Sequence, residues 1–341
     1  MKKTIQQILS GAAACVLAAV LLAGCAADPS ASSSASGSSP ASAPAKSTVR
    51  VQTIKGPTGI GMVGLMDAKD KGTAKNDYTF TVASSPDEIS AKILNNEVDI
   101  AAAPTNLAAV LYNKTEGKVT MLAVNTLGVL HILENGDTVQ TAADLRGKTI
   151  YTTGQGANPE YVLRHILQKN GIDPDKDVTI QFVQENEELA ALLTSGEAKV
   201  AMVPEPTATT VLAKNTSIRR ALDMTAEWDK VADGQLMMGC VIVRNEFLQK
   251  NPDAVRDFMT EYEASIQGTK DIDAAAALCE TYGIIPKAAV AKQAIPGCNL
   301  TFVAGDTMKT QINGYFAVLF AANPKSLGGK LPDDAFYYTG A

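Results

Sequence analysis

The side chains able to do chemistry in this 341-residue chain are few, and their spacing excludes most reactions. There are two histidines, and no Cys-x-x-Cys occurs. His131 lies in the apolar run Val129-Leu130-His131-Ile132 and His165 stands mid-helix between Arg164 and Ile166. That pattern argues against a histidine-rich zinc or copper site and reads both residues as structural. No Gly-x-Ser-x-Gly, no Ser-x-x-Lys beside partner motifs and no Walker lysine is present, so hydrolase and P-loop chemistry find no residues. Gly59-Ile60-Gly61-Met62-Val63-Gly64 spells a dinucleotide fingerprint, but its first glycine falls several residues beyond the strand before it. The acids about 20 residues on, Asp87 and Glu88, open a helix instead. These glycines are read as places where backbone approaches a ligand or a neighbouring helix.

What remains is a set of helix starts. Ser85-Pro86-Asp87-Glu88 has Ser at the N-cap, Pro at N1 and Glu at N3, a full capping box. Pro104-Thr105-Asn106 opens a second helix, Asn158-Pro159-Glu160 a third, and Pro204-Glu205-Pro206-Thr207 a fourth. Each start follows an apolar strand. Helix N-termini gathered at strand ends present unpaired N–H groups and partial positive charge, a site for a small anionic or polar ligand.

The elements that position these starts are organised by a repeat. Glu88, Ala91, Glu97, Ala101 and Pro104 recur 100 positions later as Glu188, Ala191, Glu197, Ala201 and Pro204. Each copy reads as a helix, a tight turn and a short apolar strand ending in proline. Upstream, Val49–Ile54 alternates as a strand and enters Gly56-Pro57-Thr58-Gly59, while Lys148–Thr153 enters Gly154-Gln155-Gly156-Ala157. Strand, glycine-rich turn, helix, strand, helix, strand is the signature of right-handed βαβ units. Two such units predict two α/β lobes, each a mostly parallel sheet flanked by helices. The apolar runs at 119–125, 128–134 and 239–244 predict an inserted arrangement: lobe 1 over 48–135 plus 236–341, and lobe 2 over 136–235. Helices are expected at 252–268 and 306–322, the latter with a core face of Met308, Ile312, Phe316, Leu319 and Phe320. Trp228, the single tryptophan, falls near the return to lobe 1 and is read as core.

The N-terminus sets the compartment. Met1-Lys2-Lys3, an apolar run and Leu22-Ala23-Gly24-Cys25 have the anatomy of a secretory signal over 1–24. The Leu-Ala-Gly-Cys ending resembles the lipobox of bacterial lipoproteins, which implies acylation of Cys25 and a lipid anchor. The run is thin for a membrane-spanning helix. Residues 25–47 are nearly all Ser, Ala, Pro and Gly and are expected to be a disordered tether. Loss of Lys2 and Lys3 with the signal takes the net charge from -6 to -8, which argues against nucleic acid and electrostatic lipid adhesion. Of the remaining cysteines, Cys240 reads as a buried strand residue. Cys279 and Cys298 could form a disulfide in an exported protein or be two separate buried thiols.

Lys55-Gly56-Pro57-Thr58-Gly59, Ser84-Ser85-Pro86-Asp87-Glu88-Ile89, Val98-Asp99-Ile100-Ala101 and Asp144-Leu145-Arg146-Gly147-Lys148, behind the lipobox and tether, resemble the solute-binding lipoproteins of ABC importers. The nearest branch handles nitrate, sulfonates, taurine and thiamine-pyrimidine precursors. The resemblance covers nearly all of 48–341 and implies the periplasmic-binding-protein-like fold, two lobes hinged to close on a ligand. It implies a pocket of Gly56, Pro57, Thr58 and Gly59, with Ser84, Ser85, Thr105 and Asn106, and with Thr126 in the Asn125–Gly128 crossing. Lobe 2 would add Gly154, Gln155, Gly156, Asn158 and Glu205. It also implies a monomer, anchored by lipid at the extracytoplasmic face of the cell membrane, that delivers a small molecule to an ABC permease without catalysis, cofactor or metal. With aromatics at 5%, a stacked cage is hard to assemble beyond Tyr112, Tyr151 and Trp228, and no pocket arginine is evident. The competing reading is an exported lyase-type enzyme on the same fold, which needs a reactive residue in the cleft.

Overall fold

Alternation in Val49-Arg50-Val51 puts Val49 and Val51 on one buried face, and the segment forms β1 (Thr48–Ile54) in the computed structural model, which describes residues 46–340. The signal, Cys25 and the tether up to residue 45 lie outside the described residues. The chain continues through α1 (Pro57–Ile60), α2 (Val63–Asp70), β2 (Asp77–Ala83), α3 (Pro86–Leu94), β3 (Ile100–Pro104) and α4 (Thr105–Lys114). β1 pairs in parallel with both β2 and β3. After β4 (Val119–Thr126) and β5 (Leu130–Asn135) the same order returns: β6 (Thr149–Thr152), α5 (Asn158–Lys169), β7 (Thr179–Phe182), α6 (Asn186–Ser195), β8 (Val200–Pro204) and α7 (Thr207–Lys214). β6 pairs in parallel with β7 and β8. The repeat extends to a single hydrogen bond. Ser84 N–H donates to Glu88 Oε1 at 3.3 Å, and 100 residues later Gln184 N–H donates to Glu188 Oε2 at 3.3 Å.

The chain then runs through β9 (Ile218–Asp223), α8 (Met224–Asp229), β10 (Gly239–Arg244), α9 (Asn245–Lys250), α10 (Pro252–Gly268), α11 (Ile272–Thr281), α12 (Ala288–Ala294), β11 (Leu300–Ala304) and α13 (Gly305–Ala322). The first sheet has the order β11-β4-β10-β3-β1-β2 and the second β7-β6-β8-β5-β9. Each is parallel across its repeat unit and antiparallel beyond it, because the strands that follow a crossing enter in the reverse direction. One expected boundary moves. β5 lies between β8 and β9 in the second sheet, so the chain crosses at 127–129 rather than at 135. Without β5, the apolar edge of β8 would stand open, a liability that sheets avoid. The return crossing runs through α8 to the start of β10.

Trp228 is fully buried between the crossings. Its ring lies 5.0 Å from His165 on α5 and 5.5 Å from Tyr315 on α13, and its indole N–H donates to the Gly234 carbonyl. Helix α5 of the second lobe and α13 of the first thus share one apolar cluster. On α13, Met308, Ile312, Phe316 and Leu319 are buried as the spacing predicts, joined by Tyr315, while Phe320 is partly buried.

The glycine triplet serves packing. A side-chain carbon at Gly59 would lie 1.9 Å from the Ile54 carbonyl oxygen, one at Gly61 2.8 Å from Ile266, and one at Gly64 2.8 Å from Ser265. The Cys279–Cys298 bridge is absent: both are buried free thiols in an apolar cluster with Ile284, Ile285, Ala291 and Ala294. Cys298 Sγ donates to the Ala294 carbonyl at 3.2 Å, and burial pushes the Cys279 thiol up to about 12. Little thiolate forms at neutral pH, and the thiolate is the reactive species. In thiol titration Cys240, Cys279 and Cys298 should be unreactive in the native protein and all react after denaturation without reductant. A missing pair of thiols would restore the bridge.

Candidate functional site

The two lobes meet beyond the carboxyl ends of β1 and β3 on one side and of β6 and β8 on the other. Asn158 Nδ2, from the first turn of α5, donates to Thr105 Oγ1 at 3.2 Å and to the Met238 carbonyl at 3.1 Å. Thr105, the first residue of α4, donates its N–H to Met238 O and its hydroxyl to Met237 O. A side-chain carbon at Gly56 would sit 3.9 Å from Pro206 Cδ, and one at Gly297 3.3 Å from Glu205 Oε1. The Asn158 hydrogen bonds therefore join the lobes directly, with backbone of the first lobe close to Pro206 and Glu205 of the second. Thr105 and Asn158, both expected to face a ligand, are partners of each other.

The helix starts are left open. The N-cap positions of α1, α3, α4 and α5 are Gly56, Ser85, Pro104 and Ala157, and none provides a side-chain acceptor to its helix, whereas the first turn of α7 is capped by the Glu205 carboxylate on the Thr209 N–H. This corrects two expected caps. Glu88 reaches the N–H of Ser84 instead of that of Ser85, and the Ser85 hydroxyl makes no cap bond, so the box is half made. Asn158 is the first helical residue, with Ala157 at the cap, and its amide is turned to lobe 1. Uncapped N–H groups and the positive ends of several helices remain for an anion.

The other expected residues divide. Pro57 is at N1 of α1, and the Thr58 carbonyl accepts from Asn125 Nδ2 at 3.4 Å. Asn125 also donates to Tyr262 Oη at 2.8 Å and accepts from Thr126 Oγ1 at 2.9 Å, which locks Thr126 into the floor of the crossing. Asn125 and Tyr262 are thus the residues that fix α1, and Tyr262 was not singled out by its sequence. Ser84 is exposed and Ser85 half-buried at the rim, with Gln155 and Gly156 at an exposed loop tip. The Gly156 N–H is taken by Glu160 Oε2 at 2.7 Å, and Gly154 has φ +78 beside Pro159. Tyr112 and Trp228 are core residues, the Tyr112 ring tilted against Phe336 at 4.9 Å, so neither forms a cage.

Glu205 is buried but not free. Its Oε1 accepts from Arg220 Nη2 at 2.5 Å, its Oε2 from the Thr209 N–H at 3.2 Å, and His131 Nε2 stands 3.7 Å away. Arg220, the partner of Glu205, was not revealed by the sequence, because it lies on β9, away from every glycine-rich turn. Burial first, then the Arg220 charge, push the His131 imidazole down from 6.5 to about 4, so it is neutral at pH 7. Among the described residues no group of three or more His, Cys, Asp or Glu gathers for a metal. A basin of about 640 Å³ at the far end of the first sheet is lined by Lys114, Lys118 and Arg244. Its guanidinium is spent on the Val98 carbonyl, Asn96 and Asp99.

The depressed His131 value has a measurable consequence. The unfolded chain binds a proton at about 6.5 that the folded one refuses until about 4, so stability falls as pH drops through that window. The loss at pH 4 should reach up to about 3 kcal/mol. Denaturant unfolding from pH 7.5 to pH 4 should show a shallower decline in His131→Gln than in wild type; equal slopes would contradict the assignment.

The family model described as ABC transporter, phosphonate, periplasmic substrate-binding protein matches residues 73–285. No curated protein sequence matches the chain. Among solved structures, an ABC transporter from Parabacteroides distasonis superposes with TM-score 0.73 at 22% identity, covering 87% of this chain and 100% of that one. The periplasmic aliphatic sulphonate binding protein SsuA from Escherichia coli gives 0.70 at 13% identity, over 86% of this chain and 92% of that one. The desulfurization enzyme DSZB gives 0.59 at 13% identity, over 82% and 93%. At these identities the structures establish a shared fold.

Proposed function

Because the chain belongs to the periplasmic substrate-binding proteins of phosphonate ABC transporters, we propose that it is a lipid-anchored, monomeric receptor that closes its two lobes on a small anionic solute. The closed form then delivers the solute to a membrane permease without turnover. The observation that carries this reading is the bond from Asn158 on lobe 2 to Thr105 on lobe 1, set between helix starts that have no side-chain caps. Closure brings α4 and α5 together at their positive ends, and a ligand held by both lobes binds the closed state better than the open one. Only that difference in affinity drives the motion.

The fold of DSZB carries an enzyme, and the same reading here would require a reactive group in the cleft. The candidates argue for binding instead. Cys240, Cys279 and Cys298 are buried in apolar surroundings with raised thiol values, and Glu205 is occupied by Arg220 and the Thr209 N–H. The leader ending in Leu22-Ala23-Gly24-Cys25 supports acylation at Cys25 and an extracytoplasmic, membrane-tethered location.

A thermal-shift panel of phosphonates, sulfonates, nitrate and amino acids tests the reading. A true ligand at 100 times its Kd adds about 2.7 kcal/mol of stability. Asn158→Ala, which removes the bridge between lobes, should weaken that ligand by about 5- to 150-fold, the cost of one buried hydrogen-bonding partner. Lys169→Ala, at the exposed far end of α5, should bind like wild type. Steady consumption of the ligand would contradict the receptor reading. Separately, Cys25→Ala should release the protein from membranes; retention as in wild type would contradict the anchor.

A further inference from the structure

Charge in this acidic chain is not spread evenly. The starts of β1, β3 and β4 and the end of β10 share one end of the first sheet, away from the cleft, because β1 and β3 run parallel and β10 runs antiparallel to β3 and β4. The basin of about 640 Å³ opens at that end, between Asn96, Val119 and Arg244. Lys114 and Lys118 line it, both are exposed, and among the described residues neither makes an ion pair. Behind them three cations, Arg50, Arg244 and Lys250, share two carboxylates, Asp99 and Glu246. Glu97 and Glu116 are exposed nearby in the chain and do not line the basin. Its walls thus carry surplus positive charge on a chain of net charge -6.

Apolar exposure gathers at the same end. Among the described residues, Leu94 and Leu331 are the large apolar side chains left open to solvent, at 53% and 46%. Leu94 lines the basin. Leu331 follows Lys330, whose carbonyl accepts from Asn113 Nδ2 at 2.7 Å, one residue before Lys114. The chain also enters the body here. Thr48 opens β1, and two residues on, Arg50 Nη1 donates to the Asn96 carbonyl at the basin wall at 2.8 Å. A flexible chain as long as residues 25–45 spans about 25 Å end to end. A lipid on Cys25 would therefore hold this pole near the bilayer at an effective concentration on the order of millimolar, where weak contacts suffice. The matching end of the second sheet differs. Its basin of about 510 Å³ sets Lys148 and Lys199 against Glu134 and Glu197, and no leucine lines it.

We propose that the basin on lobe 1 is a docking surface for anionic phospholipid headgroups. The Lys114 and Lys118 ammonium groups meet the lipid phosphates, and Leu94 enters the apolar boundary beneath them. Net charge opposes adhesion of the surface at large, so contact is confined to this pole and the cleft stays free for solute. The membrane location rests on the lipid-anchored reading above. The lipid contact itself does not, and the experiment separates the two.

The test uses the chain from Ala26 onward, which has no lipid and keeps all the described residues, in flotation with vesicles. At low salt it should bind vesicles of phosphatidylglycerol mixed with phosphatidylcholine and should not bind pure phosphatidylcholine, and added salt should release it. Lys114→Glu with Lys118→Glu should weaken binding to the anionic vesicles by about 25-fold, about 5-fold for each lysine lost. Leu94→Ser should weaken it and leave its salt dependence unchanged. Lys169→Glu with Lys199→Glu makes the same change in net charge on exposed lysines of lobe 2 and should bind like wild type. Every substituted side chain is exposed, so melting temperatures should match wild type, which separates a lost contact from a lost fold. Equal binding to both kinds of vesicle, or wild-type binding by the Lys114 and Lys118 variant, would overturn the proposal. Displacement by inorganic phosphate, where chloride of equal ionic strength has no effect, would overturn it in favour of a small-anion site. No binding to either vesicle would overturn it as well, and the anchor would still be decided by Cys25→Ala.

Discussion

Neither sheet is complete without a strand that the chain delivers by crossing from the other lobe. β5 leaves the first lobe to fill the gap between β8 and β9, and β10 returns from the second to lie between β3 and β4. The central antiparallel strand of each sheet is thus the continuation of a crossing, and the two lobes cannot fold as independent beads. The crossings are also the one place where the lobes are covalently joined, so relative motion is confined to rotation about them. Trp228, packed between α5 and α13, fills the space behind the crossings. On the cleft side the lobes are joined by the hydrogen bonds of Asn158 to Thr105 and to the Met238 carbonyl.

This arrangement separates stability from function. The apolar cluster around the crossings and α13 supplies the burial that holds the fold. The helix starts at the cleft carry no side-chain caps from their N-cap residues, and the Asn158 and Asn106 side-chain oxygens are buried without partners. Polar atoms left unpaired in one state are what a ligand can use to favour that state. The Glu205–Arg220 pair joins a buried carboxylate to an exposed guanidinium, and desolvation of the carboxylate offsets much of the attraction. Its effect is to hold a carboxylate in place where Gly297 of the first lobe can rest on it.

How much of this was legible depended on the range of the interaction. The 100-residue repeat, the βαβ units and the core face of α13 follow from local periodicity, and the structure contains them. The sheet membership of β5 did not follow. A strand buried on both faces reads as an apolar run and carries no information about its partners. The capping box at Ser85 failed by one residue, because Glu88 can reach either of two adjacent N–H groups and sequence does not choose between them. Arg220 and Asn158 make their decisive contacts across 15 and 53 residues, where no spacing rule applies. At the strand ends several residues of the expected pocket are hydrogen-bonded to neighbouring groups of the protein. Thr105 and Asn158 bind each other, Thr126 binds Asn125, and Gly156 binds Glu160.

The central claim is that ligand drives lobe closure about the two crossings. Small-angle scattering on the protein, with and without a saturating amount of a ligand that raises its melting temperature, tests it most directly. The account predicts a smaller radius of gyration with ligand, and a liganded scattering curve that fits the closed arrangement with Asn158 on Thr105. An unchanged radius and an unchanged curve at saturation would contradict it.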